Sequence, residues 1–426
     1  MDKRIKELTA FLDSAHSVYH AAAYLAKTLE DAGYTRLEEG QSWQLAAGGK
    51  YYLVRGGTAL IAFRIPEGKP QGFLMSASHS DRPTFKIKEN GEAAGKYVRL
   101  ATEKYGGMLI APWLDRPLSV AGRVLVQTED GAESRLVDID RDLMLIPNVA
   151  IHMNRSANDG QKWNPAVDTL PLLGGELTGG KFQKLLEKAA GGKILGHDLY
   201  LYVRQKAAIW GLDKEYISSA ALDDLECAWC CTKGFLNAKP GRSIPVLCVF
   251  DSEEVGSASV QGAASRLLET TLSRICDALA LDEQIMLANS FMVSADNAHA
   301  LHPNHPEYAD SGNAPVMNKG VVLKFNANQR YTTDGVSAAI FRTVCARANV
   351  PVQTYCNRAD IPGGSTLGNI SLSHVSVPTA DIGLPQLAMH SCYETAGVQD
   401  VLYLEDAMAA YYASALTAAG EKYTVE

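Results

Sequence analysis

Apolar positions recur at helical spacing through residues 4–34, with Ile5, Leu8 and Leu12 followed by Ala22, Leu25 and Leu29. This predicts two helices or one broken helix. Residues 43–65 instead alternate, with Gly-Gly pairs where turns belong, and predict a hairpin. "GFLMSASHSD" reads as a short apolar strand ending in polar residues. Residues 86–205 change character, with short alternating runs such as "RPLSVAGRVLVQ" and "SRLVDIDRDLMLIP", and predict a mostly β module with loops. From about residue 215 strands and helices alternate again. "LDDLECAWCCTKGFL" predicts a helix, 244–250 a buried strand, 258–280 a helix opening after a glycine, and 401–418 an amphipathic helix. "SFMVSAD", "GVVLKF", "VPVQTYC" and "HVSVPTADIG" predict further strands. The whole predicts one α/β domain built from both ends of the chain and interrupted by an inserted β domain.

Length supports that division: 426 residues exceed one simple core and suit two domains, or one domain carrying an insertion. Hydrophobic content of 46% and charged content of 21% are ordinary for a globular protein. A net charge of −8 argues against nucleic acid or an anionic membrane as partner. No run of about 18 apolar residues suggests a membrane span. The charged, amphipathic start lacks the apolar core of a secretory signal, so a cytoplasmic location is expected. The eight cysteines are then reduced thiols. "CAWCC", Cys227 to Cys231, contains a CxxC, but a structural zinc site needs a second pair of ligands and no other CxxC exists. These cysteines read as buried helical residues.

The candidate chemistry gathers where apolar segments end. His79-Ser80-Asp81 follows one strand, and Glu253-Glu254 follows another. Asp223, beside Asp224, lies in "SSAALDDLE", Asp296 in "FMVSADNAHALHPN" and His390 in "LPQLAMHSCYE". In α/β sheets the carboxyl ends of strands open onto one crevice. Adjacent Glu253 and Glu254 repel each other where a core strand surfaces, which calls for a cation or a reaction. Two histidines with three carboxylates suit a pair of divalent ions, one carboxylate bridging. In the HxD, Asp81 can hydrogen-bond the far nitrogen of His79 and fix its tautomer. In Glu-Glu, one carboxylate can bind metal while its neighbour acts as general base. His299, His302 and His305 also invite a metal reading, but Pro303 and Pro306 break the helix that would align the last two, so a loop or surface role is expected for those two.

At these residues the sequence resembles the aspartyl aminopeptidases, the M18 family of metallopeptidases. The similarity runs in order through "HSDRPTFKIK", "KYGGMLIAPWLDRPLSVAGRVLV", "IPNVAIHMNR", "ALDDL", "FDSEEVGSASVQGA", "SADNAHALHPN", "KGVVLKFNANQRYTTD" and "LAMHS". The resemblance implies a three-layer α/β/α zinc-peptidase-like catalytic domain of residues 1–85 and 211–426, with residues 86–210 as an inserted, mostly β dimerisation domain. It implies that His79 and Asp296 hold one metal, Glu254 and His390 the second, and that Asp223 bridges. Glu253 would be the general base and Asp81 would orient His79. His152 would reach a neighbouring subunit's site and stabilise the tetrahedral intermediate. Lys324 and Tyr331 would lie near the substrate, the lysine suiting an anionic side chain. The implied activity removes N-terminal Asp and Glu from peptides with two divalent ions per subunit, zinc first, manganese or cobalt as alternatives. The implied assembly is a homo-oligomer, a dodecamer built from dimers.

Some positions depart from the family pattern. Asp224 stands where the family has Asn, and 362–366 reads "PGGST" for Pro-Cys-Gly-Ser-Thr. "APW" replaces a segment with His-Thr before the Trp, and "HSCYETAG" also differs. None removes a proposed ligand, but they leave open a preference for residues other than Asp and Glu. Two other readings stand beside the first. One is related two-metal chemistry on another bond, as a carboxypeptidase or amidase. The other is a scaffold that binds peptides without turnover, from which loss of a ligand or of the base would be expected.

Overall fold

A computed structural model describes residues 2–239, 241–364 and 366–426. The "PGGST" segment includes Ser365, which lies outside the described residues. A nine-stranded sheet runs in the spatial order Thr35–Arg36, Lys50–Arg55, Ala59–Arg64, Ile244–Phe250, Phe73–His79, Phe291–Ala295, Thr379–Gly383, Val321–Phe325, Val352–Cys356. Its centre is parallel: Phe73–His79 lies between Ile244–Phe250 and Phe291–Ala295, both running in its own direction. Every residue of these three strands is buried, which is why they read as continuous apolar runs rather than alternating ones.

The pleat sends alternate residues into two cores. Leu247, Val249 and Val293 pack with Phe11, Leu25, Trp229, Phe341 and Tyr412, from the helices Lys3–Leu12, Val18–Asp31, Leu222–Asn237, Gly335–Arg347 and Val398–Ala413. Val246, Cys248, Phe250, Met75 and Met292 pack on the other face with Leu268, Leu272 and Ile275 of Leu267–Ala278. Helices on both faces of the sheet make the three-layer α/β/α arrangement expected. Cys227, Cys230 and Cys231 are fully buried on their helix. Among the described residues, no helix is long and apolar enough to cross a membrane.

A second, six-stranded antiparallel sheet is formed within residues 84–203, in the order Ala132–Asp138, Leu118–Gln127, Ile194–Val203, Thr84–Ala93, Tyr97–Tyr105, Leu172–Gly175. It has its own core around Phe85, Trp113, Val120 and Leu199. One helix, Lys181–Ala190, covers it through Phe182 and Leu186; the reading of this stretch as strands and loops did not contain that helix. A five-stranded sheet absent from the sequence reading joins Ala208–Trp210, Tyr216–Ser219, Glu394–Gly397, Pro385–Leu387 and Ala298–His299. Its strands are only two to four residues long, too short for period-2 alternation to show.

Two helix boundaries differ from expectation. The helix read over 258–280 begins only at Leu267. Ahead of it Ser259 Oγ bonds Ser252 Oγ at 2.9 Å, and Gly262 packs against the Ser257 backbone so closely that a Cβ would lie 2.0 Å from its carbonyl oxygen. Ser259 and Ser265 accept from the Gln261 and Leu267 N–H groups, so serines here satisfy the backbone locally instead of propagating a helix. The helix read over 401–418 spans Val398–Ala413, and Leu416–Ala419 then pairs with Lys422–Val425 across Gly420 at φ +60°, a conformation glycine adopts at little cost.

Asp198 joins the six-stranded sheet to the N-terminal helices. Its carboxylate accepts from Lys86 Nζ at 2.9 Å, from Arg123 at 2.7 Å and from the Tyr19 hydroxyl at 3.1 Å. Burial opposes its charge, yet Lys86 and Arg123 prevail and hold the carboxyl down at about 2. Because the folded group titrates below its unfolded value, its stabilisation is present above about pH 4 and is lost as the pH falls toward about 2. Asp198→Asn is therefore expected to lower unfolding stability by about 2 kcal/mol at pH 7, with the gap to the native protein narrowing in acid. Urea unfolding at stepped pH measures this, and equal stability at pH 7 would remove the assignment.

Candidate metal centre

The order of the central strands brings the chemistry together. Phe250 is in register with His79, and Ser294 with Ala77, so the residues just beyond each strand surface side by side: His79 in the middle, Glu253 and Glu254 on one flank, Asp296 on the other. Asp223 enters from the first turn of Leu222–Asn237, where Asp223 and Asp224 are non-helical and joined by a cis peptide bond. His390 enters from the loop after Pro385–Leu387, at φ +67°.

The histidine tautomers follow from their acceptors. His79 Nδ1 lies 3.1 Å from the Asp81 carbonyl oxygen, and His390 Nδ1 lies 2.6 Å from the Gly107 carbonyl oxygen. A carbonyl only accepts, so each Nδ1 carries the proton and each Nε2 presents a lone pair inward. Asp223 stands between them. Its Oδ1 is 3.5 Å from His79 Nε2 and its Oδ2 is 3.4 Å from His390 Nε2. Asp296 Oδ1 lies 3.9 Å from His79 Nε2, and Glu254 Oε2 lies 3.4 Å from His390 Nε2. Ligand atoms of His79, Asp223 and Glu254 fall within 4.8 Å of one another, as do those of Asp223, Asp224 and Asp296.

These groups fit a metal. Asp223 Oδ1, Glu254 Oε1 and Asp224 Oδ1 are buried without a hydrogen-bond partner, an arrangement that is costly unless a cation answers it. Burial pushes Glu254 and Asp224 up, and Asp223 adds to both. Glu253 is pushed up to about 8, by burial first, with His79 opposing and Asp296, Asp81 and Asp223 adding.

Asp81 does more than face its histidine. Its Oδ1 is 3.3 Å from His79 Nδ1 and accepts from the Glu253 N–H at 3.1 Å. Its Oδ2 accepts from the Glu254 N–H at 3.1 Å and from the Tyr105 hydroxyl at 2.8 Å. Lys324 is buried; its Nζ donates to the Asp296 carbonyl at 2.8 Å, lies 3.5 Å from Asp296 Oδ2 and 5.2 Å from the Tyr331 ring centre. His152 lies apart from this cluster, on an exposed turn beside exposed Ile151 and Met153, without a hydrogen-bond or ion-pair partner among the described residues. His302 and His305 are exposed, as expected, with ring centres 5.2 Å apart. With His299, Tyr355 and Arg358 they line a cavity of about 400 Å³.

One carboxylate at the site, Glu394, was missed by the sequence reading. Glu394 accepts from the His390 N–H at 2.7 Å and the Asp223 N–H at 3.0 Å, so one buried side chain sets the spacing of both. Its position four residues after His390 was the available signal. Burial, then Asp223, pushes its carboxyl up to about 8. Asp224 Oδ2 accepts from the His79 N–H at 3.1 Å; adjacency to Asp223 pointed to it.

The family described as Aminopeptidase I zinc metalloprotease (M18) matches residues 11–412. A probable M18 family aminopeptidase 2 of Clostridium novyi is 41% identical over 424 residues, covering 95% of this chain and 98% of that protein. Among solved structures, the Ape4 and Nbr1 complex matches with a TM-score of 0.93 at 34% identity, covering 96% of this chain and 85% of the other. The S. cerevisiae mApe1 dodecamer matches at 0.84 with 28% identity, covering 96% and 95%. With a zinc-peptidase profile spanning nearly its whole length and a buried histidine among carboxylates able to hold metal, the chain belongs to the M18 family and is a metalloaminopeptidase, a hydrolase.

Proposed function

We propose that the protein removes N-terminal acidic residues, Asp and Glu, from peptides, using two divalent ions per subunit. The observation that carries the two-ion reading is Asp223, whose two oxygens face different histidines at 3.5 and 3.4 Å. His79 and Asp296 would hold one ion, Glu254 and His390 the other, and Asp223 both. Such ions, zinc first with manganese or cobalt as alternatives, polarise a scissile carbonyl and acidify water when bound. Glu253 takes the proton from the attacking water and hands it to the leaving amine. Asp81 holds Glu253 and Glu254 through their backbone N–H groups and keeps His79 in its Nδ1–H tautomer.

Residues 86–210 form the dimerisation domain in this reading, inserted into a catalytic domain of residues 1–85 and 211–426, and the dimers assemble into a dodecamer. The dodecameric mApe1 structure supports this. Exposed Val149, Ile151 and Met153, next to His152 along the chain, support it too, since exposed apolar side chains in one patch mark interaction surfaces. His152 would act in the neighbouring subunit's site. Lys324 and Tyr331 face the substrate side. One observation favours a second reading of specificity: the Lys324 ammonium is already engaged by Asp296, which suits a non-acidic first residue.

Glu253→Gln is expected to retain both ions by elemental analysis while kcat falls about 100- to 10,000-fold; full activity would remove the base assignment. Hydrolysis of N-terminal Asp, Glu, Leu, Ala and Lys amides, with zinc, manganese or cobalt and with chelator, tests the function. Chelator-sensitive cleavage confined to Asp and Glu is expected. Cleavage of Leu or Ala instead would keep the metal site and overturn the acidic specificity. No cleavage despite bound ions would favour a carboxypeptidase, an amidase or a scaffold.

A further inference from the structure

Three consecutive residues at the end of Tyr97–Tyr105, a strand of the six-stranded sheet, each touch a different part of the metal centre. Tyr105 donates its hydroxyl to Asp81 Oδ2 at 2.8 Å. Gly106, at φ +76°, lies against Glu254, where a Cβ would come within 3.1 Å of the Glu254 Cβ and 3.3 Å of its carbonyl oxygen. Gly107 accepts from His390 Nδ1 at 2.6 Å, and two residues on the Leu109 N–H donates to the His390 carbonyl at 3.0 Å.

The Asp81 carboxylate is the junction. It is nearly sealed from water, at 3% exposure, so its oxygens depend on protein donors. Oδ1 receives the Glu253 N–H and lies beside His79 Nδ1; Oδ2 receives the Glu254 N–H and the Tyr105 hydroxyl. The two glutamate N–H groups open the short 3₁₀ turn Glu253–Val255, preceded by Ser252 in the left-handed region at φ +65°. They converge on one carboxylate as at a helix cap. Three of these donors belong to the catalytic elements themselves. Tyr105 is the one that comes from the other sheet, and it sets where the carboxylate stands. Without its hydroxyl, Oδ2 keeps a single donor, and a buried carboxylate short of a donor turns toward a better arrangement. That movement carries the Glu253 and Glu254 backbones with it.

We infer that Tyr105 is a positioning residue for the metal centre: through Asp81 it fixes the turn bearing Glu253 and Glu254, while Gly106 and Gly107 of the same strand end seat Glu254 and His390. The inserted module would thus complete the site within its own subunit, apart from any pairing of subunits. This rests on the roles proposed above for Glu253, Glu254 and His390.

Tyr105→Phe tests it, because the ring is kept. That ring packs edge-on against Tyr200 at 5.8 Å between centres, so the fold survives the loss of one oxygen. The readouts are the dissociation constants of the two ions, by zinc titration against a competing chelator, and kcat and KM on the best amide substrate. Removing partners one shell out from a metal ligand weakens metal affinity or activity about 10- to 100-fold. The expected result is at least a tenfold weaker constant for one ion, with kcat down about tenfold and KM within about twofold. Tyr200→Phe, which trims the partner ring, is the control and should leave all four quantities unchanged. Tyr105→Phe matching the native protein in both constants and in kcat would overturn the inference, as would an equal loss in Tyr200→Phe. Failure of the native protein to bind a pair of ions would instead sink the underlying reading of the site, so the two failures are distinguishable.

Discussion

Buried negative charge is the constraint around which this molecule is organised. Asp81, Asp223, Asp224, Asp296 and Glu394 are nearly all sealed from water, and the Glu254 side chain with them. Between such groups repulsion is strong, because little solvent screens it. The protein answers part of it internally. Lys324 covers Asp296, backbone N–H groups and Tyr105 cover Asp81, and the His390 and Asp223 N–H groups cover Glu394. What remains uncovered is specific: Asp223 Oδ1, Glu254 Oε1 and Asp224 Oδ1. Inward-facing oxygens without hydrogen bonds, next to two histidine lone pairs, are what a divalent cation completes.

The sheet makes this concentration of charge possible. Three fully buried parallel strands carry the burden of stability, and the polar residues appear only beyond their last apolar positions. Register then sets relative heights: with Phe250 level with His79 and Ser294 level with Ala77, Asp296 and Glu253 fall on either side of His79 without adjustment by long loops. The loops that do contribute, bearing Asp223 and His390, are tied to each other by Glu394. Rigid strands place one half of the centre and a single buried carboxylate places the other.

The readable parts of the sequence were those where chemistry and periodicity coincide. His79, Glu253, Glu254 and Asp296 could be found because each follows a continuous apolar run, and a buried parallel strand leaves that trace. The three-layer class was readable for the same reason. Glu394, Tyr105 and the partner of Lys324 were not, because their roles arise from contacts between different elements of the fold, which no local pattern records. Glu394 sits at the start of a four-residue strand, too short to announce itself. Lys324 ends an apolar run and suggested an anionic substrate, yet its ammonium turns to the Asp296 carbonyl. The late start of Leu267–Ala278 has a different origin: a serine and glycine stretch whose side chains bond locally.

The most direct test of the account is the anomalous scattering of zinc in crystals of the native protein. The account predicts two peaks in each subunit, one shared by Asp223 Oδ1, His79 and Asp296, the other by Asp223 Oδ2, His390 and Glu254. A single peak, or two peaks of which neither touches Asp223, would contradict it.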